Sequence, residues 1–226
     1  MDEELWAEVD AYIADAVLRR DPDITDALRA NADAELPTID VSPLQGKLLH
    51  LLARATGARQ ILEIGTLGGY STIWLARALP PGGRVVTLEV NAQHAQVARA
   101  NFARAGVADR IELHVGRAID TLRQFKSDHY GPFDFIFIDA DKASNADYLT
   151  AVLPLSRVGT MIICDNVVRD GEVIDAESPD ADVVGTQRFF AALAAETRVS
   201  ATAIQTVGVK GYDGFALAVV TDPVHR

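Results

Sequence analysis

The sequence predicts an α/β fold with a mostly parallel, doubly wound sheet that ends in an antiparallel pair. Three observations carry this. Apolar runs of strand length alternate with longer helical patterns from Arg59 onward, the rhythm of βα units. The first run opens into a glycine-rich turn, as open α/β sheets do at a ligand-binding end. The last two runs follow one another without a helix and are joined through Gly211-Tyr212-Asp213-Gly214, where Asp-Gly before a strand is a hairpin signal.

Taken in order, residues 1 to about 57 read as helices, among them Leu5 to Arg19 and Pro43 to Thr56, covering the sheet or reaching a partner subunit. Gln60-Ile61-Leu62-Glu63-Ile64 is the first strand, and Ser71 to Leu79 the helix after it, broken by Pro80-Pro81-Gly82-Gly83. Val85 to Glu89 is the second strand and Ala92 to Ala105 the second helix, stopped at Gly106. Ile111 to Val115 alternates as a third strand, and Ala118 to Phe125 is helical. Phe133 to Ile138 and Gly159 to Cys164 are strands with a helix, Asp147 to Leu155, between them. Thr186 to Glu196 reads as a last helix, followed by strands at 201–207 and 215–220.

At 226 residues, 49% hydrophobic and 23% charged, the chain has the composition of one globular domain. Its net charge of −11 argues against a broad nucleic-acid-binding surface. Lys47, Lys126, Lys142 and Lys210 are the only lysines. The single cysteine, Cys164, cannot form an internal disulfide, which fits a reducing, cytoplasmic setting. The acidic start, Met1-Asp2-Glu3-Glu4, does not read as a signal peptide, and no apolar stretch approaches the roughly 20 residues that span a bilayer.

Two regions carry chemistry. Glu63-Ile-Gly65-Thr66-Leu-Gly68-Gly69-Tyr-Ser71 lies in the first strand-to-helix turn, where glycines admit a ligand and the helix start favours an anionic group. It is not the dinucleotide fingerprint, because Leu67 and Tyr70 stand where that pattern needs glycine. Glu89 ends the second strand about twenty residues on, where an acid accepts bonds from ribose hydroxyls; this indicates a nucleoside without choosing which one. The second region is Ile138-Asp139-Ala140-Asp141-Lys142 with Cys164-Asp165-Asn166, each following a strand. If those strands are parallel neighbours, their ends lie roughly 5 Å apart and Asp139, Asp165 and Asn166 converge. Converging carboxylates repel unless a cation sits between them. Carboxylate and amide oxygens are ligands for a hard cation such as Mg2+.

With these residues in place the chain resembles the cation-dependent O-methyltransferases, the group of catechol and caffeoyl-CoA O-methyltransferases and their bacterial relatives. The resemblance runs from about Thr38 to the C-terminus and rests on Leu62 to Ser71, Glu89, Ile138 to Lys142 and Asp165-Asn166-Val167. It implies a Rossmann-like class I methyltransferase fold: a mostly parallel seven-stranded sheet with a C-terminal antiparallel hairpin and helices on both faces. A single domain would span 1–226, with 1–57 a helical cover and 58–226 the α/β core. It further implies that Asp139, Asp165 and Asn166 bind a divalent cation, usually Mg2+, with Mn2+ or Ca2+ as alternatives. Glu63, Gly65, Thr66 and Ser71 would line the methionine end of S-adenosylmethionine. Glu89 would hold the ribose, Ala118 the adenine through its backbone, Asp141 the amino group, and Val41 the same end. Asp139 would also border the cofactor, and Lys142 would be the general base. Relatives are commonly homodimers.

The activity implied is methyl transfer to one hydroxyl of a vicinal diol on an aromatic small molecule such as a catechol, hydroxycinnamate or flavonoid. Two alternatives share the cofactor: methylation of a hydroxylated tRNA uridine, which the acidic composition opposes, and non-catalytic S-adenosylmethionine binding, which needs neither metal nor base. A nicotinamide oxidoreductase suffers from the glycine spacing. Asp175 to Asp182 is an acidic, breaker-rich loop, read either as solvated or as a substrate-facing lid, with Arg169 and Asp170 able to contact substrate. The family often has an amide-bearing residue where Asp170 stands, so substrate choice does not carry over. Cys164, Trp6 and Trp74 read as packing, and His50, His94, His114, His129 and His225 show no metal-ligand spacing.

Overall fold

The computed structural model describes residues 3–223; Met1, Asp2 and His225 lie outside the described residues. The chain divides into two compact units, one formed by residues up to Ala118 with Gly208–Lys210 and one by Ile119–Val207 with the segment from Gly211 on.

In the first unit three helices precede the strands: α1 (Glu3–Val17), α2 (Pro22–Asp33) and α3 (Pro43–Ala55). Two of them start where capping chemistry requires. Asp21 and Ser42 accept the Ile24 and Gln45 N–H groups, and Pro22 and Pro43 occupy the first turns, where no N–H is needed. β1 (Gln60–Ile64), β2 (Arg84–Glu89) and β3 (Ile111–Val115) pair in parallel, β2 in the middle. Between them run α4 (Tyr70–Ala78) and α5 (Ala92–Arg104), the latter capped by Asn91. Ile61, Leu62, Glu63 and Ile64 are all buried, without the alternation of a half-exposed strand, because a parallel strand is covered on both faces.

In the second unit α6 (Ala118–Ser127) leads to β4 (Phe133–Ile138), α7 (Asn145–Val152), β5 (Ser156–Asp165), α8 (Ala181–Ala195), β6 (Val199–Gly208) and β7 (Gly211–Val220). Phe133, Phe135 and Phe137 are fully buried. β4 and β5 are parallel, with Ile138 beside Cys164, and β5 and β7 are antiparallel. The seven strands form one sheet in the order β3-β2-β1-β4-β5-β7-β6. The expected architecture, a mostly parallel sheet closed by an antiparallel hairpin, is therefore observed.

Three local expectations are corrected. The hairpin turns at Val209–Lys210, so Asp213 and Gly214 lie inside β7. The Asp213 carboxylate is occupied elsewhere, accepting the N–H groups of Val168, Arg169 and Gly214. β5 starts at Ser156, three residues early, where Thr160 Oγ1 donates to the Phe133 carbonyl and accepts the Arg157 N–H across an irregularity in the register. Asp182 belongs to α8 and not to the acidic loop, since Asp180 caps that helix. Among the described residues no helix is long and apolar enough to cross a membrane.

Candidate active site

In the first unit the turn after β1 is built around two buried acids. Gly65 and Gly69 have φ of 97° and 83°, left-handed values that only glycine adopts without strain. Glu63, wholly buried at the end of β1, accepts hydrogen bonds from Ser71 Oγ at 2.7 Å, Thr72 Oγ1 and Thr87 Oγ1 at 2.6 Å. Thr87 also meets Thr66 Oγ1 at 2.6 Å. Glu89, buried at the end of β2, accepts the N–H groups of Thr66 at 3.2 Å and Leu67 at 2.8 Å with one oxygen. Its other oxygen takes the Asn91 N–H at 2.8 Å. Both acids therefore brace the turn. Val41 is buried just before the Ser42 cap, and Ala118 is half-buried at the start of α6.

In the second unit the register that sets Ile138 beside Cys164 sets Asp139 and Asp165 at adjoining strand ends. Lys142, buried in the turn after β4, donates to Asp139 Oδ1 at 2.6 Å. Burial opposes its ammonium form, yet the charge and hydrogen bond of Asp139, with Asp165 beyond, outweigh it and raise the lysine pKa above its ordinary value. Asp165 is buried and accepts the Asn166 N–H at 2.9 Å, and Asn166 has φ of 57°, a left-handed value that Asn tolerates. Asp141 is exposed and accepts the Tyr148 hydroxyl at 2.5 Å. Cys164 is buried and burial pushes its thiol pKa up, so it is an inert core residue.

Among the described residues no three His, Cys, Asp or Glu side chains converge as a metal cluster. What the second unit offers instead is two carboxylates beside the Lys142 cation, with Asn166 next in the chain as a source of an amide oxygen. That set fits a hard divalent cation keeping part of its water shell, and not zinc.

The segment behind Asn166 is strained, with Arg169 and Asp170 at φ of 56° and 55° and Gly171 at 90°. Asp170 is exposed there. Arg169 lies between Asp182 and Asp213, at 3.9 Å and 4.0 Å, and Asp182 also accepts the Ala143 N–H beside Lys142 at 3.3 Å. Gly185 lets α8 approach this turn, since a Cβ there would sit 2.4 Å from the Lys142 carbonyl. Asp182, Asp213, Thr72, Thr87 and Tyr148 were not legible as site-building residues. The one available signal was a polar residue inside an apolar run, as with Thr87 in β2.

The first unit thus presents a glycine turn braced by two strand-end acids, and the second two aspartates near a buried lysine. The chain belongs to the O-methyltransferase family, whose model matches residues 17–219. It is 54% identical over 213 residues to a Mycobacterium tuberculosis protein named catechol O-methyltransferase, covering 94% of this chain and 95% of that one. The O-methyltransferase of Bacillus cereus, solved in complex with SAH, superposes with a TM-score of 0.95 at 58% identity, over 96% of this chain and 99% of that one. TomG of Streptomyces achromogenes, solved with SAM, gives a TM-score of 0.94 at 50% identity, over 98% and 100%.

Proposed function

We propose that this chain is an S-adenosylmethionine-dependent O-methyltransferase acting on one hydroxyl of an aromatic vicinal diol of the catechol type. Asp139, Asp165 and Asn166 hold a divalent cation, Mg2+ or alternatively Mn2+ or Ca2+, and Lys142 is the general base. The observation that carries this reading is the convergence of Asp139 and Asp165 on the buried Lys142. Bound at the two aspartates, such a cation supplies Lewis acidity that lowers the proton affinity of a chelated diol oxygen. Lys142, in its neutral amine form beside Asp139, takes the hydroxyl proton; a positioned base of this kind contributes on the order of 10²–10⁴ in rate.

The glycine turn and Ser71 hold the methionine end of the cofactor at the start of α4, Glu89 the ribose, Ala118 the adenine, and Asp141 and Val41 the amino end. Orientation of acceptor oxygen, methyl carbon and sulfur in one line supplies the rest, since effective molarities of oriented groups reach roughly 10⁵–10⁸ M. The relatives solved with SAH and SAM, and the one named catechol O-methyltransferase, support cofactor and acceptor class. A homodimer is the assembly we favour: α1 buries no residue and exposes Leu5, Val9, Tyr12 and Val17.

The test is methyl transfer from labelled S-adenosylmethionine to a catechol panel, with Mg2+ and with excess EDTA. Turnover lost in EDTA and restored by Mg2+ supports the reading; turnover indifferent to EDTA overturns the cation assignment. Transfer to tRNA instead would show strongly salt-dependent binding, which a net charge of −11 disfavours.

A further inference from the structure

The glycine turn has a middle residue that is glycine for a reason of its own. Gly65 and Gly69 need their left-handed backbone, but Gly68 is not among the residues with positive φ, so its backbone accepts alanine. What excludes a side chain is Asn31 of α2: a Cβ on Gly68 would stand 1.8 Å from Asn31 Oδ1. Asn31 and Asn101 are both buried, at 3% and 1% exposure, in positions where an apolar residue would be expected.

Their amides form a directed chain. Arg104, at the exposed end of α5, donates to Asn101 Oδ1 at 2.6 Å, which fixes the orientation of that amide. Asn101 Nδ2 then donates to the Gly68 carbonyl at 2.8 Å and to Asn31 Oδ1 at 3.0 Å. Asn31 Nδ2 donates to Asp40 at 2.9 Å, immediately before Val41. The next peptide N–H, that of Gly69, donates to the Thr66 carbonyl at 2.8 Å. The peptide between Gly68 and Gly69 is thereby held on both sides.

We propose that Asn31 and Asn101 are positioning residues for the cofactor, locking the glycine turn and the Asp40–Val41 segment into one preformed surface, with Gly68 kept as glycine to seat the Asn31 amide. This rests on the reading of the turn as the S-adenosylmethionine site. A ligand meeting a preformed surface loses less on ordering it, so the device acts on affinity for the cofactor and leaves the acceptor alone.

The test uses the full-length protein, calorimetric binding of S-adenosylhomocysteine, and the KM values for S-adenosylmethionine and catechol. Asn101→Ala leaves the Gly68 carbonyl unpaired and raises the S-adenosylhomocysteine Kd by on the order of tenfold, with the catechol KM within about twofold. Asn31→Ala behaves alike. Gly68→Ala alone weakens binding at least as much, whereas Gly68→Ala combined with Asn31→Ala is no worse than Asn31→Ala, because the new methyl enters the space the amide left. Arg104→Ala, on the surface, spares the core and raises Kd about threefold.

A latch of purely structural importance would lower the melting temperature of Asn101→Ala and leave its Kd unchanged. That result, an unchanged Kd in Arg104→Ala, or losses at Gly68 and Asn31 that multiply, would overturn the proposal. Failure of the parent protein to bind S-adenosylhomocysteine would overturn the cofactor reading and this inference with it. Normal binding by parent and variants alike would sink only the latch.

Discussion

Lys142 Nζ lies 2.6 Å from Asp139 Oδ1, and both side chains are largely withdrawn from solvent. A lysine so paired is charged at neutral pH and is a poor base, because its pKa is raised by the aspartates. In the proposed function a divalent cation held by Asp139 and Asp165 would offset the pull of these carboxylates on the lysine proton. The pair thus explains why a basic residue sits inside an acidic cluster. Replacement of Lys142 by Met should lower kcat by on the order of 10²–10⁴ while leaving the S-adenosylmethionine KM nearly unchanged. Lys142→Arg should not restore it, since a guanidinium does not give up its proton in this range. Steady-state kinetics of both variants decide the matter; an active Arg variant would remove the base from Lys142.

Asn166 combines two properties that can be separated. Its φ of 57° demands a residue that tolerates the left-handed region, and in the proposed function its amide is the third oxygen donor to the cation. Asn166→Ala should lose activity and also about 1–2 kcal/mol of stability to backbone strain. Asn166→Gly should keep stability close to that of the parent and still lose most turnover at limiting Mg2+. Melting curves beside a Mg2+ titration of activity test this, and a fully active Gly variant would show that Asn166 holds backbone geometry alone.

Much of this site was legible in the chain because its parts follow strands. An acid directly after a buried run such as Phe133–Ile138 or Ile162–Cys164 has its place set by the run itself, and two such runs that pair in parallel bring their acids together. The Glu63 and Glu89 positions are readable for the same reason. What escaped was whatever depends on distant partners. Asn31 and Asn101 are 70 residues apart in sequence, and no local pattern joins them. The misplaced hairpin turn has a similar origin: Asp213-Gly214 has the chemistry of a turn, but Asp213 is drawn to the Val168 and Arg169 N–H groups some 45 and 44 residues away. Tertiary hydrogen bonds overrode a local preference worth little by itself.

Thr87 supports Glu63 from a strand that otherwise reads as plain core. Thr87→Val keeps the shape of the side chain and deletes its bonds to Glu63 and Thr66, leaving a wholly buried carboxylate with one donor fewer. An under-satisfied buried polar group costs about 1–3 kcal/mol, and in a chain of this size each kcal/mol lowers Tm by roughly 2–4 °C. A measurable fall in Tm, together with a raised KM for S-adenosylmethionine, is expected. A Val variant as stable as the parent would mean that Glu63 is satisfied without Thr87.

His50 makes stability depend on pH with a definite sign. Its ring is buried against Trp74, with centroids 6.0 Å apart, and Nδ1 lies 3.1 Å from the Trp74 carbonyl, which requires the proton on Nδ1 in the neutral ring. Burial lowers its pKa below the ordinary 6.5, and Lys47, Arg54 and Arg77 act in the same direction, against the hydrogen bond to Trp74. Between that lowered value and 6.5 the unfolded chain binds a proton that the native state does not. This group's contribution therefore falls as pH drops through that window and levels off below the folded pKa. His50→Gln can donate to the same carbonyl and cannot titrate. Thermal melts from about pH 7.5 down to about pH 5 should show the parent losing more stability than the variant. Equal slopes would mean that protonated His50 is accommodated in the fold as well as the neutral ring is.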